Sequence, residues 1–494
     1  MAADLSSATT DQTAPQTPSP GLAEAFRRLL GEANFTIEGV RELLHAESEL
    51  SSAPDRVAIY ERRLKPGDDL STLARLFLLG GTASQADAER ALRRAGLAAL
   101  EESRILDVTE RGVRALVRIV PHGELLIGCD LNHEVEGPGD PRVVTGINGP
   151  AILLAALTIR RRAGHALDVG TGNGIQSLLA AKHSERVTGL DINPRAIAFA
   201  RFNAALNGIG NVQFEVGDLF APVSGHRFDL IVCNPPYVIS PESSFAYRDS
   251  GEQRDSLCRR ITGLIPDYLN EGGYGQLLVS WVKEPDEDEA AAVRPWVEGR
   301  GCDAWLLHYR TEDPLTHAAK WNQPFSASAA AVFAQNVDAW LDYYRREGIQ
   351  EIAFGAISLH RRQGPPANWT VTGELRSADG SASDQAQRVF DAQDVLRQSD
   401  GDQAFLALRL RLAPEHRQDQ VLKVHDGRWQ LAEATLRLEQ GVGFTGTLDE
   451  RTAAILARLD GSRPLRESLG PEDLELGLQV ARRLFELGFL ERLA

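Results

Sequence analysis

Asn234-Pro235-Pro236-Tyr237 closes the apolar run Ile231-Val232-Cys233 with residue types that can hold one flat nitrogen. Neither proline carries a backbone N–H and each fixes φ, so the turn is stiff and aims the Asn234 amide oxygen and the Pro235 carbonyl at one point. An exocyclic amine or a primary amide offers two N–H groups to such a pair of acceptors. With both accepted, electron density on the nitrogen is held out of conjugation, and the atom becomes a better nucleophile in a fixed orientation. Tyr237 would stack on the planar group behind that nitrogen. The plainer reading, a rigid turn with asparagine as a local cap, accounts for the stiffness alone.

A second motif lies upstream and favours chemistry. Ala166-Leu167-Asp168-Val169 reads as a strand that turns through Gly170-Thr171-Gly172-Asn173-Gly174 into a helix from Ile175 to Lys182. Glycines at the carboxyl end of a strand let the backbone approach a ligand in the crevice of an open α/β sheet. The spacing is G-x-G-x-G and not the dinucleotide G-x-G-x-x-G, so the glycines are informative through their context. Arg186 to Leu190 is a second strand, ending at Asp191, where a carboxylate can accept hydrogen bonds from ribose hydroxyls. Val212 to Val216 is a third, ending at Gly217-Asp218, and Phe228 to Val232 delivers the Asn-Pro-Pro-Tyr turn. Each aspartate alone could cap a helix; together the strand ends describe a nucleoside site facing a nitrogen site.

With these residues in hand, the stretch from about Thr145 to Trp281 resembles the class I S-adenosylmethionine-dependent methyltransferases, among them the N-methyltransferases that bear Asn-Pro-Pro-Tyr. The resemblance implies that Asp168 and the loop Gly170, Thr171, Gly172 and Gly174 surround the methionine part of S-adenosyl-L-methionine. It implies that Asp191, with Ile192, holds the ribose and that Asp218 and Leu219 border the adenine. Asn234 and Pro235 would hold the target nitrogen in line with the methyl group, with Asn234 touching both ligands and Tyr237 completing the catalytic set. The extension Tyr237-Val238-Ile239-Ser240-Pro241-Glu242 is similar to the glutamine N5-methyltransferases that modify translation release factors. The following Arg248-Asp249-Ser250-Gly251-Glu252 resembles their next segment loosely, with Ser250-Gly251 in place of a double glycine.

Methyl transfer from a sulfonium is an in-line displacement, so positioning and desolvation carry it and neither a metal nor a covalent enzyme intermediate is needed. Asp130, His133 and Glu134 supply one histidine and no second ligand cluster, and no metal is expected. Cys129, Cys233, Cys258 and Cys302 are too widely spaced for a zinc or disulfide framework, which fits a cytoplasmic protein. No apolar run approaches the roughly 20 residues that span a bilayer. The net charge of −16 weakens a nucleic-acid partner, although residues 21–120 are nearly neutral and carry Arg90, Arg93 and Arg94.

The elements that must position the site occupy the middle of the chain. Residues 1–20, rich in Ala, Ser, Thr, Pro and Gln, read as a disordered tail. Residues 21–123 carry helix-period apolar patterns and then Val113 to Ile119 and Leu125 to Ile127 as a hairpin, a helical, winged-helix-like domain. Residues 124–362 form the Rossmann-like α/β core, with later strands at Gln276 to Val282, Ala304 to His308 and Ile352 to Leu359. Gly364-Pro365-Pro366 marks a boundary, after which residues 363–494 form an α+β module with strands at Phe405 to Leu412 and Leu431 to Leu438 and a helical end. That module carries no catalytic constellation and suits packing, self-association or recruitment of an accessory subunit.

The leading reading is an enzyme that methylates a planar nitrogen, a glutamine amide of a protein such as a translation factor. An adenine N6-methyltransferase acting on rRNA, tRNA or DNA would present the same kind of amine to the same turn. A cofactor-binding regulatory protein without activity is the reading from another class, and the intact Asp168, Gly170, Gly172, Asp191 and Asn234 argue against it. No membrane partner is expected.

Overall fold

Apolar strand runs bounded by glycine and polar signals assemble into one twisted sheet. The computed structural model describes residues 13–46, 54–131, 142–242, 248–249, 251–323, 330–364, 367–377, 380–398 and 401–493. The sheet's strands are β1 (Ala163–Val169), β2 (Ser184–Asp191), β3 (Val212–Val216) and β4 (Phe228–Cys233), followed by β5 (Leu269–Lys283), β6 (Cys302–Glu312), β7 (Glu351–Arg361) and β8 (Thr370–Glu374). Their order across the sheet is 8-6-7-5-4-1-2-3. Strands β1 to β5 run parallel, whereas β7 is antiparallel to both β5 and β6. The chain reverses its winding between β1 and β4, which is where an open α/β sheet offers a crevice beyond its carboxyl ends. The central strands are buried along nearly their whole length because helices cover both faces.

Local signals fix the helices beside that crevice. Asn148 caps helix Gly149–Leu157 by accepting from the Ala151 amide, with Pro150 in the first turn. Asn193 caps Pro194–Asn207, which stops at Gly208 in the left-handed region. The helix after the glycine loop is shorter than expected, Ile175–Ala180. Among the described residues no helix is long and apolar enough to cross a membrane, and all four cysteines are free and buried.

The amino-terminal region combines helices with a small antiparallel sheet of Thr82–Ala83, Gly112–Ala115 and Leu106–Thr109. The alternation from Val113 to Ile119 is not one strand. It breaks after Ala115, and Arg118–His122 pairs instead with Leu125–Cys129 in a separate hairpin. A boundary at Gly123 therefore falls on the turn of that hairpin. Of the expected tail, residues 1–12 lie outside the described residues. Residues 13–20 are held: Ala14 is buried, the Gln16 amide donates to the Ser103 carbonyl, and Ser19 caps the helix beginning at Pro20.

At the other end, β8 extends the central sheet beside β6, so a division at residue 362 separates a strand from its sheet. An edge strand pairs on one side only and needs little apolar content, which hid Thr370-Val371-Thr372 behind the Gly-Pro-Pro signal. The connection is pinned by the buried Asp303 carboxylate, which accepts from the Arg362 guanidinium at 2.8 and 2.9 Å and from Asn368 at 3.1 Å. Further on, Phe405 to Leu412 is a helix, Asp402–Leu406, followed by strand Arg409–Leu412.

Candidate active site

Strand ends build the site. Asp168, next to last in β1, is buried, and its Oδ2 accepts from Thr171 Oγ1 at 2.7 Å, the Ser177 amide at 3.0 Å and Ser177 Oγ at 2.8 Å. Gly189 in β2 makes room for that serine, since a Cβ there would lie 2.7 Å from Ser177 Oγ. Asp168 Oδ1 is buried without a hydrogen-bond partner among the described residues. Burial pushes the carboxyl up to about 6, against the pull of the three donors on Oδ2.

The glycine loop hangs from the neighbouring strand. The Gly170 and Thr171 amides both donate to the Leu190 carbonyl at 2.8 Å, and the Gly172 amide donates to Asp191 Oδ2 at 2.9 Å. Gly170, Gly172 and Gly174 all have positive φ, and at Gly172 an added Cβ would meet open space. Asp191 Oδ1 accepts from the Asn193 amide, and burial raises this carboxyl too. Each Asp191 oxygen keeps a lone pair for a further donor.

Beyond β2, Ile192 is 45% exposed. The Gly217 amide donates to the Asp191 carbonyl, bringing the end of β3 alongside. Asp218 is exposed, and Leu219 holds φ 47°, a strained conformation for a branched side chain.

Across the crevice, Cys233 pairs with Val169 of β1 and Leu277 of β5. Asn234 is therefore the first residue past the sheet, directly beside Gly170: a Cβ on Gly170 would lie 3.8 Å from the Asn234 carbonyl oxygen. Asn234 Oδ1 is buried and has no hydrogen-bond partner among the described residues. Leaving such an acceptor unpaired costs about 1–3 kcal/mol. Pro235 is buried behind it. The Tyr237 carbonyl accepts from Ser280 Oγ, and its ring meets Phe354 edge-on at 6.2 Å. Burial raises the Tyr237 hydroxyl, so it stays protonated.

The arrangement thus brings Asp168, the Gly170–Gly174 loop and Asn234 together at one switch point, with Asp191, Ile192, Asp218 and Leu219 along the adjoining strand ends. Two buried, unpaired carbonyl-type oxygens, Asp168 Oδ1 and Asn234 Oδ1, end the neighbouring strands β1 and β4. That donor-hungry, open cradle fits a ligand with a cationic amine, hydroxyls and an apolar base. The residues of the metal reading beyond Asp130 and Leu131 lie outside the described residues. Asp130 itself is bound by the Arg195 guanidinium at 2.5 and 3.0 Å.

Several supporting residues escaped the sequence. Ser177 was hidden in an apolar helix, and Phe354 in a strand distant in the chain. Asn203, fully buried, accepts from the Gly128 amide and donates to the Gly128 and Asn173 carbonyls. Its signal was present: Asn203 and Asn207 stand four apart on an otherwise apolar helix face.

Residues 148–249 match the family model of the methyltransferase small domain, and residues 32–116 match a domain of unknown function. The chain is 36% identical over 138 residues to a putative protein N5-glutamine methyltransferase of Methanocaldococcus jannaschii, covering 26% of this chain and 68% of that protein. A release factor glutamine methyltransferase of Geobacter sulfurreducens is 39% identical over 130 residues, covering 23% and 45%. Ribosomal RNA small subunit methyltransferase C of Alcanivorax borkumensis is 32% identical over 127 residues, covering 25% and 35%. The chain thus spans about two thirds of the first relative and less than half of the other two.

Proposed function

We propose, for a chain that belongs to the class I S-adenosylmethionine-dependent methyltransferases, that the acceptor is the side-chain amide nitrogen of a glutamine in a protein, with translation release factors as the substrate class. The observation that carries this reading is the buried, unpartnered Asn234 Oδ1 at the end of β4. A flat nitrogen with two N–H groups satisfies it with one of them, and the Pro235 carbonyl accepts a hydrogen bond from the other. The bound cofactor supplies a methyl group on a cationic sulfur.

The roles are those the family resemblance implies, and the placement of the strand ends supports them. Asp168 Oδ1 takes the ammonium of the methionine part, and the Gly170–Gly174 loop, with Thr171 bracing Asp168, lets that part approach the backbone. Asp191 and Ile192 take the ribose; Asp218 and Leu219 flank the adenine. Asn234 and Pro235 fix the acceptor nitrogen, and Tyr237, with Phe354 at its edge, walls the amide plane away from water. Held there, the nitrogen would take the methyl group that the bound cofactor supplies, the sulfur would leave with the bonding pair, and the surplus proton would go to solvent. Positioning supplies the catalysis. The net charge of −16 favours a polypeptide acceptor over a polyanion.

The test is transfer of labelled methyl from the cofactor to a purified bacterial release factor, with ribosomal RNA in parallel. Label is expected on the protein and removed by protease; label on RNA would replace the glutamine reading with adenine. Asn234→Ala should lower transfer by roughly 10²–10³-fold, the scale of losing one fixed catalytic hydrogen-bonding group. Cofactor Kd by calorimetry should change by less than about threefold, because Asp168, Asp191 and the glycine loop carry most of the cofactor's contacts and Asn234 adds one at its edge.

A further inference from the structure

The chain that leaves the Asn-Pro-Pro-Tyr turn is held by a device that no catalytic step uses. Val238, Ser240 and Glu242, alternate residues of that chain, all return to the pair Arg248 and Asp249. The Val238 amide donates to the Arg248 carbonyl at 3.1 Å, and Ser240 Oγ donates to Asp249 Oδ1 at 2.9 Å. Arg248 Nη2 donates to Glu242 Oε2 at 3.2 Å. The guanidinium also grips Asp249 in fork geometry, at 2.8 Å from Nε and 3.0 Å from Nη2. Its Nη1 donates to the Trp321 carbonyl at 3.0 Å, and its plane lies 5.3 Å from the Trp340 ring.

The arginine and aspartate of the cluster are buried and walled by aromatic rings, while Glu242 reaches its edge. The Arg248 side chain is 5% exposed and that of Asp249 is fully buried. Trp340 Nε1 donates to Glu242 Oε1 at 2.8 Å, and Tyr344 OH donates to the Ile239 carbonyl at 2.9 Å while contacting His317 Nδ1 at 2.7 Å. Burying an ion pair gains little stability over packing apolar residues of the same volume. What such a pair does supply is geometry, since a planar guanidinium fixes several acceptors at once.

We propose that Arg248 is a positioning residue for the acceptor site, a guanidinium clamp that sets where Asn234 Oδ1 stands by fixing the chain four to eight residues beyond it; this rests on the amide-methylation reading above. Pro235 and Pro236 make the turn stiff, so its placement is decided by what anchors its exit. Strand β4, paired with β1 and β5, anchors the entry, the Arg248–Asp249 pair the other side. Displacing a reacting group by about 1 Å can cost roughly 10²-fold in rate. Lysine keeps the charge at position 248 but lacks the planar fork that holds Asp249, Glu242 and the Trp321 carbonyl in one fixed arrangement.

The test compares wild type with Arg248→Lys, using release factor as acceptor, and follows hydrogen exchange of the Tyr237–Ser240 amides in the same proteins. Expected for Arg248→Lys are a kcat lowered about 10- to 100-fold, an acceptor KM and cofactor Kd each within about threefold, and faster exchange at Tyr237–Ser240 with β1 and β5 unchanged. The double variant Arg248→Met with Asp249→Leu removes both charges together, so it keeps the fold if the single variant loses it; its kcat should stay low. Wild-type kcat in either folded variant, or unaltered exchange at Tyr237–Ser240, overturns the clamp. Absence of transfer by the wild type would overturn the glutamine reading instead, and the exchange comparison would still decide the clamp.

Discussion

Asp168 pays for its place with its own ionisation. Three donors stabilise its Oδ2, yet burial outweighs them and the carboxyl rises from 3.8 to about 6. The unfolded chain ionises first as pH rises, so from about 4 to about 6 the unfolded state gives up a proton that the folded state keeps. Stability is therefore lost across that window, and the full loss, roughly 3 kcal/mol, persists above it. Asp168→Asn keeps an acceptor for Thr171 and Ser177 and never ionises. It should raise Tm at pH 8 relative to wild type and leave it unchanged near pH 4, by calorimetric scans across pH. Its cofactor Kd should rise at least tenfold, because an amide nitrogen now stands near the ammonium. If Asp168→Asn destabilises at pH 8, the carboxylate is better compensated than its orphan Oδ1 implies. At this scale the strand-ending aspartates, the glycines and Asn234 were legible from residue type and spacing. Which oxygen lacked a partner was not, because that depends on Ser177 of the helix after the glycine loop meeting Gly189 of β2.

Elements are joined to the site by side chains that act as backbone. Strand Leu125–Cys129 has one hairpin partner, and its other edge is satisfied by Asn203 and Asn207 of helix Pro194–Asn207, which bind the amides and carbonyls of Gly128 and Leu126 at 2.7–2.9 Å. Gly128 allows the approach, because a Cβ there would sit 2.6 Å from the Phe202 ring. Asn203→Ala would orphan both Gly128 groups and the Asn173 carbonyl. The expected loss is at least about 3 kcal/mol in urea unfolding, at about 1–3 kcal/mol for each of the three buried groups left unpaired. Cofactor affinity should fall with it, since Asn173 belongs to the glycine loop. A loss below 1 kcal/mol, or an unchanged Kd, would mean water replaces the amide. Strands β1 to β7 of the core sheet were readable because each carries an apolar run bounded by polar or glycine signals. The break after Ala115 was not, since the alternation continues through residues that change partners from one sheet to another.

At the scale of the whole molecule, the carboxyl-terminal module is both a cover and an outrigger. Trp369, Leu375, Ala386, Phe390 and Val442 share one core with Leu154, Leu157 and Leu230 around the central sheet, and the Ala382 amide donates to the Ala156 carbonyl. Sequence alone marked a boundary at Gly364-Pro365-Pro366, because a domain that lends its apolar face to another carries no local sign of doing so. The same module extends a hairpin arm, His416–His425 with Arg428–Leu438, whose base is joined by a third strand, Thr445–Leu448. Near the body Ala434, Leu436 and Leu438 are buried, but beyond Gln420 the same face continues into solvent with Leu422, Val424 and Trp429, the last 70% exposed. Two changes should therefore diverge. Ending the chain at Arg362 uncovers the shared core and should yield aggregated protein that binds a hydrophobic dye, whereas Trp429→Ser should shift unfolding free energy by less than about 0.5 kcal/mol. Soluble yield and thermal unfolding decide both. A folded, active truncation would mean that β8 and the helix after it are dispensable to the sheet; a large loss from Trp429→Ser would mean that the arm packs back on the body in solution.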